Sequence, residues 1–182
     1  MTPPTLTYVG GPTALLEVGG VRLLTDPTFD PAGAEYRAGS YVLRKTQGPA
    51  LALDALGRID AVLLSHDHHF DNLDHAGRRL LSSAARVLTT AEGAARVGSE
   101  SGLVAWQSTS LETRGGAPLR ITATPARHGP EHADRGPVIG FVLGRQGEAI
   151  YLSGDTVWYE GVAEVAASIG SGPRCCSWVR PG

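Results

Sequence analysis

The segment from Ser65 to His75 concentrates side chains that bind metal ions. It holds four of the six histidines of the chain and three aspartates. Imidazole nitrogens bind zinc, iron, nickel and copper, and carboxylates extend the choice to manganese. A solvated polar loop rarely gathers so many histidines when the rest of the chain has only two. The composition of this segment therefore predicts a metal site.

Three predicted strands end at residues of the metal-ligand type. The apolar runs at residues 61–64, 119–123 and 149–152 lead to the histidine segment, to His128 and to Asp155. A hydrolytic metal site takes nitrogen and oxygen ligands from several strands and keeps one position open for water. Asp155 suits a bridging position between two ions. The candidate metal ligands are His66, His68, His69, Asp71, His128 and Asp155.

Short apolar runs separated by glycines dominate the pattern along the chain, and glycine pairs between such runs predict β-hairpins. Strands are expected at residues 6–9, 14–18, 21–24, 61–64, 87–89, 103–106, 119–123, 138–143 and 149–152. Helices are expected at residues 77–83, 91–97 and 159–169, and a loop at 29–49. Many short strands with helices between them predict a layered α/β sandwich.

The composition limits the classes of protein and partner. A chain of 182 residues fits one domain, residues 1–182, and its net charge of −2 gives no basis for binding nucleic acid. The sequence contains no run of about 20 apolar residues, so we expect no membrane-spanning helix. The N-terminus lacks the pattern of a secretory signal. We therefore expect a cytoplasmic protein that acts on a small molecule. The adjacent pair Cys175 and Cys176 argues against a disulfide framework.

The chain resembles the metallo-β-lactamase superfamily, and within it the branch of metal-dependent hydrolases that includes ascorbate-6-phosphate lactonase. The matching segments are Tyr8 to Gly10, Leu23 to Pro27, the histidine segment, Pro125 to Gly129 and Ser153 to Thr156. The resemblance implies a four-layer αββα sandwich with one or two metal ions at one edge. Zinc is the expected ion, with manganese or iron as alternatives.

The histidine segment departs from the superfamily pattern His-x-His-x-Asp-His. His66 and His68 fit when the pattern is placed from the front, whereas His69 and Asp71 fit when it is placed from the back. One extra residue explains both, with His66, Asp71 and either His68 or His69 as ligands. Asn72 then stands where the last histidine is expected, which weakens one metal position and makes a mononuclear site an alternative. Three further aspartates are predicted to shape loops, orient histidines or cap a helix: Asp26, Asp67 and Asp74.

These residues predict a hydrolase that activates a water on its metal and attacks an ester, a lactone or a phosphodiester. Asp71 is the predicted catalytic residue, because a carboxylate beside the metal can orient the water or accept its proton. The alternative is a catalytically impaired metal-binding protein of the same fold. Asn72, which stands where a histidine is expected, and the atypical tail at residues 171–182 motivate that alternative.

Residues 171–182 form an atypical tail. Their sequence lacks the pattern of the buried strand that the superfamily fold places after the helix at 159–169, so we expect the fold to be truncated at this end. A shifted reading frame and a divergent natural tail are the two hypotheses for this tail. A missing strand would expose an apolar sheet edge, which predicts a homo-oligomer.

Overall fold

The computed structural model describes residues 3–114, 116–145, 148–169 and 174–176. Within them the strands are β1 (Thr5–Gly10), β2 (Thr13–Val18), β3 (Val21–Thr25), β4 (Glu35–Ala38), β5 (Tyr41–Arg44), β6 (Ala61–Leu63), β7 (Val87–Thr90), β8 (Gly102–Leu103), β9 (Ser108–Leu111), β10 (Leu119–Pro125), β11 (Ile139–Arg145), β12 (Glu148–Leu152) and β13 (Arg174–Cys176). The helices are α1 (His75–Leu80), α2 (Ala91–Val97) and α3 (Glu160–Ile169). Short 3-10 turns occur at Leu53–Leu56, Leu81–Ser83 and Glu131–Ala133.

The strands form two large mixed sheets and one separate hairpin. The first sheet has the order β1-β2-β3-β6-β7-β8; β1 to β3 are antiparallel, and the rest join in parallel. The second sheet has the order β13-β12-β11-β10-β9 and is antiparallel except for the parallel pair of β12 and β13. Strands β4 and β5 pair with each other.

The two large sheets pack face to face around one apolar core. Leu23 and Leu63 of the first sheet meet Ile121 and Phe141 of the second, and none of these side chains is more than 2% exposed. A second apolar cluster lies on the other face of the first sheet and includes residues of α1. A third joins the second sheet to α3. These layers confirm the predicted αββα sandwich.

A pair of glycines forms the tight turn between β2 and β3. Gly19 and Gly20 have φ angles of 60° and 79°. Positive φ at both central residues is the geometry of a tight hairpin turn, which glycine adopts without a steric penalty. The pairing of Val18 with Val21 closes this hairpin, and the predicted hairpins at the start of the chain are confirmed.

Helix α1 is fixed closely against the loop that follows β3. The Asp74 carboxylate caps the helix by accepting a hydrogen bond from the Gly77 N–H at 2.8 Å, and it also pairs with the Lys45 ammonium at 2.9 Å. A Cβ atom at Gly77 would lie 1.8 Å from the Pro27 carbonyl oxygen, so only glycine fits there. Because the histidine segment runs from β6 into this helix, both of its ends are held. The expectation that Asp74 caps a helix is confirmed.

The segment 29–49 differs from its prediction as a loop, because it contains the β4–β5 hairpin. Tyr41 and Val42 near its tip are 57% and 50% exposed, so these two apolar side chains are not buried in a core. The hairpin joins neither large sheet, and the periodicity that marks a half-buried strand is therefore weak here. Strand β9 was also missed, and the strand expected at 103–106 is the shorter β8.

The C-terminal expectation requires a correction. Residues Arg174 to Cys176 form β13, which pairs in parallel with β12, so a strand does follow α3. The sequence did not predict it because three residues are too few to show a periodic apolar pattern. The rest of the tail, residues 171–173 and 177–182, lies outside the described residues. Among the described residues, no helix has both the length and the apolar character needed to cross a membrane.

Candidate metal centre

Three histidines converge where β6 and β10 end. His69 Nδ1 lies 3.1 Å from His66 Nε2 and 2.9 Å from His128 Nε2. All three nitrogens lie within 4.8 Å of one another. Two nitrogens bound to one zinc ion at about 2.0–2.1 Å in tetrahedral geometry lie roughly 3.4 Å apart. The spacing and the donor type of this cluster therefore fit a single metal ion.

The environment of these imidazoles favours their neutral form, which is the form that binds metals. Burial, reinforced by the neighbouring histidines, lowers the pKa of His66 to about 2. Burial also lowers the pKa of His69, with further contributions from His68 and His128. The pKa of His128 is lowered by burial, although the nearby Asp155 carboxylate acts in the opposite direction. The unprotonated nitrogens can thus face one another without charge repulsion.

His68 has a different environment from its neighbour His69. Its Nε2 donates a hydrogen bond to the Arg135 carbonyl at 2.8 Å, and its ring packs over Gly136, where a Cβ atom would lie 2.8 Å from Nε2. Its Nδ1 lies 4.0 Å from the Asp67 carboxylate. The sequence left open whether His68 or His69 is the metal ligand, and this geometry favours His69.

The two remaining candidate ligands, Asp71 and Asp155, line a cavity of about 280 Å³ beside the histidines. Asp155 Oδ2 lies 3.4 Å from His128 Nε2, so this carboxylate adjoins the imidazole cluster. The preceding Gly154 has a φ of 64°, and a Cβ atom there would lie 2.7 Å from the Ile139 carbonyl oxygen. This close approach of β11 is what brings Asp155 to the cluster. His66, His69, His128 and Asp155 thus come together from three strand ends.

A buried polar network supports His66 from below. Asn72 Nδ2 donates to Ser65 Oγ at 2.8 Å, and Ser65 Oγ lies 3.0 Å from His66 Nδ1. If His66 held a metal through Nε2, its Nδ1 would carry the ring proton and could donate a hydrogen bond to Ser65 Oγ. Asn72 is 4% exposed and its amide is engaged in this network. Residue type and spacing alone do not separate this supporting role from that of a substituted ligand.

Asp26 belongs to the same network. Its carboxylate accepts a hydrogen bond from the Ser65 N–H at 2.6 Å, and its φ of 30° is a strained value for a residue other than glycine. Burial raises the pKa of Asp26 to about 7, although hydrogen bonds from Ser65 and Asn72 counteract the rise. Asp26 thus lines the same cavity as Asp71 and Asp155 and holds the backbone at Ser65, where the histidine segment begins.

Asp67 is buried and forms a bidentate ion pair with Arg96, at 2.8 Å from Nε and 2.5 Å from Nη2. Burial alone would raise its pKa, but the hydrogen bonds from Arg96 outweigh this and lower it. His75 and His132 lie outside the imidazole cluster. His75 contacts the Tyr36 and Phe70 rings, and His132 is exposed in a 3-10 turn.

Residues 21–172 match the family described as a beta-lactamase superfamily domain, which covers most of the chain. The chain belongs to the metallo-β-lactamase superfamily. The fold described above agrees with this, since the αββα sandwich and a metal-binding edge are features of that superfamily.

Several solved and curated proteins resemble this chain. The isothiocyanate hydrolase from Delia radicum gut bacteria is 26% identical, with a TM-score of 0.73 over 92% of this chain and 68% of that one. A metal-dependent hydrolase from Pyrobaculum aerophilum is 27% identical over 159 residues, which are 85% of this chain and 62% of the relative. An uncharacterized Mycobacterium tuberculosis protein is 40% identical over 70 residues, which are 38% of this chain and 18% of that protein. The chain thus spans less than two thirds of the curated relatives it matches.

Proposed function

We propose that this protein is a metal-dependent hydrolase whose metal is held by His66, His69 and His128. The convergence of three neutral imidazole nitrogens within 4.8 Å carries this proposal. The donor set supports zinc, since imidazole ligands suit zinc and a site with few carboxylates does not favour magnesium or calcium. Manganese and iron are the alternatives. Asp155 is the next ligand to consider, because it adjoins His128.

A metal held at this site would supply Lewis acidity, which polarises an electrophile and acidifies water. Asp71 is proposed to orient the attacking water or to accept its proton, because Asp71 lines the same cavity as Asp155. Ser65 and Asn72 hold the ring of His66 in place. Each of these roles belongs to a residue that lies within or directly beneath the cavity.

The proposed reaction is hydrolysis at a carbonyl or phosphoryl centre of a small molecule. Esters, lactones and phosphodiesters are the candidate substrates, and the resemblance to the ascorbate-6-phosphate lactonase branch supports the lactone. The isothiocyanate hydrolase likeness adds a fourth class, an electrophilic carbon between nitrogen and sulfur. We expect the protein to act in the cytoplasm, and a homo-oligomer remains a prediction for sizing experiments.

Metal content and turnover test this function together. Purified protein reconstituted with zinc or manganese is expected to retain one or two ions per chain and to hydrolyse p-nitrophenyl acetate or bis-p-nitrophenyl phosphate. The His66→Ala variant should lose both properties, whereas His132→Ala, on the exposed 3-10 turn, should keep both. Failure of the wild type to retain any metal would contradict the proposal. Metal binding without turnover of any substrate class would instead support the catalytically impaired alternative.

A further inference from the structure

A second cavity of about 400 Å³ lies beneath the β4–β5 hairpin. It adjoins the first cavity, which Asp71 and Asp155 line, because Tyr8, Gly11, Pro12 and Asp71 line both. Ligand pockets for small molecules typically measure about 300–1,000 Å³. The two cavities together therefore offer room for a substrate with a reactive end at Asp71 and a longer part below the hairpin.

One part of the wall of the second cavity is apolar and firmly held. Val9, Leu43 and Phe70 contribute to it, and the ring of Tyr36 stacks on Phe70 with centroids 4.9 Å apart and planes 12° from parallel. The Tyr36 hydroxyl donates to Asp30 at 2.9 Å, which turns the polar end of this side chain away from a ligand. This part of the wall presents aromatic and aliphatic carbon to a bound group, whereas other lining residues, such as Thr46 and Gln47, are polar.

The cations that line the second cavity already have carboxylate partners. Lys45 is paired with the buried Asp74 at 2.9 Å. Arg44 is paired with Glu35, and its side chain is 71% exposed, so solvent and salt screen its charge. Neither side chain therefore offers an unpaired charge to a group that binds in the second cavity.

Two further cations, Arg127 and Arg135, belong to the chain segment that carries His128. Arg135 contributes to the lowered pKa of His128, and the Arg127 guanidinium lies 4.6 Å from the centroid of the Tyr159 ring. Neither residue lines the two cavities. A group that binds in the second cavity therefore meets the paired Arg44 and Lys45, with Asp71 at the end that the two cavities share.

We propose that the part of the substrate that binds in the cavity beneath the β4–β5 hairpin is an uncharged alkyl or aryl group. This inference rests on the proposed hydrolase function and narrows its substrates to esters, lactones or similar electrophiles that carry such a group. It disfavours substrates whose distal part is charged.

A homologous series measures the contribution of the apolar part. The zinc-reconstituted protein is assayed with the p-nitrophenyl esters of acetic, butyric and hexanoic acid and with mono-p-nitrophenyl adipate, which has the chain length of the hexanoate but ends in a carboxylate. Burial of one methylene corresponds to about a fourfold gain at most, so kcat/KM should rise by about two- to fourfold per carbon and should be lower for the adipate than for the hexanoate. Equal kcat/KM for the three neutral esters, or a preference for the adipate over the hexanoate, would overturn the inference.

Variants of the hairpin locate the effect. Leu43→Trp and Thr46→Trp place a large ring in the second cavity and should lower the ratio of kcat/KM for the hexanoate to kcat/KM for the acetate towards 1. Val42→Trp is the matched control, since Val42 neighbours Leu43 in β5 but is 50% exposed and does not line the cavity. If Val42→Trp reduced the gain as much as Leu43→Trp, the cavity would not be the binding site.

Direct binding separates the failure of this inference from the failure of the proposed function. Calorimetric titration with the neutral amides acetamide and hexanamide requires no turnover. Tighter binding of hexanamide that is lost in Leu43→Trp supports the cavity even when no ester is hydrolysed, in which case the hydrolase proposal alone fails. Ester turnover without selective hexanamide binding rejects the cavity and leaves the hydrolase proposal intact.

Discussion

The neighbouring residues His68 and His69 show how side-chain direction divides chemical roles. His69 Nδ1 faces two imidazole nitrogens at 2.9 and 3.1 Å, whereas His68 donates to a backbone carbonyl. These two adjacent histidines are therefore expected to contribute unequally to metal binding.

Alanine substitution at each position measures this inequality. His69→Ala removes one of three converging nitrogens and should weaken zinc binding by about 100-fold or more, since supporting residues alone contribute about 10–100-fold. His68→Ala should weaken it by less than about tenfold. Competition with a chromophoric chelator gives both affinities. A larger loss in His68→Ala than in His69→Ala would show that the ring of His68 turns towards the metal.

Asn72 is the residue at which the sequence pattern and the structure suggest different roles. The pattern treats it as a replaced ligand, whereas the structure has its amide donating to Ser65 beneath His66. Asn72→Ala is expected to weaken metal binding by about 10–100-fold, because the support of His66 is lost. Asn72→His serves as the discriminating variant. Tighter metal binding in Asn72→His than in the wild type would identify position 72 as a ligand position.

The short helix α1 is the element that most constrains the histidine segment, because close packing at Gly77 against Pro27 fixes where the segment ends. The Asp74 cap and its ion pair with Lys45 reinforce this position. A six-residue helix is too short to be stable alone. Its stability therefore comes from these contacts.

Gly77→Ala tests the packing of this helix. The added methyl group would overlap the Pro27 carbonyl, so the helix must shift, and the free energy of unfolding should fall by about 3 kcal/mol or more. Arg79→Ala, at an exposed position of the same helix, should change it by less than about 0.5 kcal/mol. Urea denaturation followed by circular dichroism gives both values. Equal stabilities of the two variants would mean that α1 is not tightly packed.

Across the whole molecule, Asp30 links the β4–β5 hairpin to the start of α1. Its carboxylate accepts hydrogen bonds from the Tyr36 hydroxyl and from the N–H groups of His75 and Ala76. Burial raises the pKa of Asp30, but these hydrogen bonds outweigh it and lower the pKa below the usual 3.8. A carboxyl group with a lowered pKa in the folded state stabilises the protein above its unfolded pKa, and this stabilisation is lost as the pH falls through the folded pKa.

The unfolding free energy should therefore decrease as the pH falls below about 4. The difference between the wild type and Asp30→Asn should be largest at neutral pH and should shrink as the pH falls through the folded pKa of Asp30. Denaturation curves at pH 7, 5, 4 and 3 measure this difference. The exposed Asp54→Asn serves as the control and should follow the wild type. A difference that is constant from pH 7 to pH 3 would contradict the conclusion that the charged form of Asp30 stabilises the folded protein.

The sequence predicted the local elements wherever burial imposes a regular pattern. Helix α2 has the predicted bounds, and the hairpins at the start of the chain and of β11 with β12 are confirmed. The β4–β5 hairpin and β9 escaped prediction, since an exposed hairpin and an edge strand carry little apolar periodicity.

The chemical nature of the centre was determined by the sequence itself, because the strands that end in histidine and aspartate are local features. The tertiary structure decided which nitrogens meet. His68 is turned aside by the backbone of Arg135, which is 67 residues further along the chain, and Asp155 reaches His128 because Gly154 lets β11 approach. The side chains of an irregular loop take their directions from distant partners. Residue types alone therefore identify the metal chemistry, while the ligand set and the adjoining cavities depend on the packed fold.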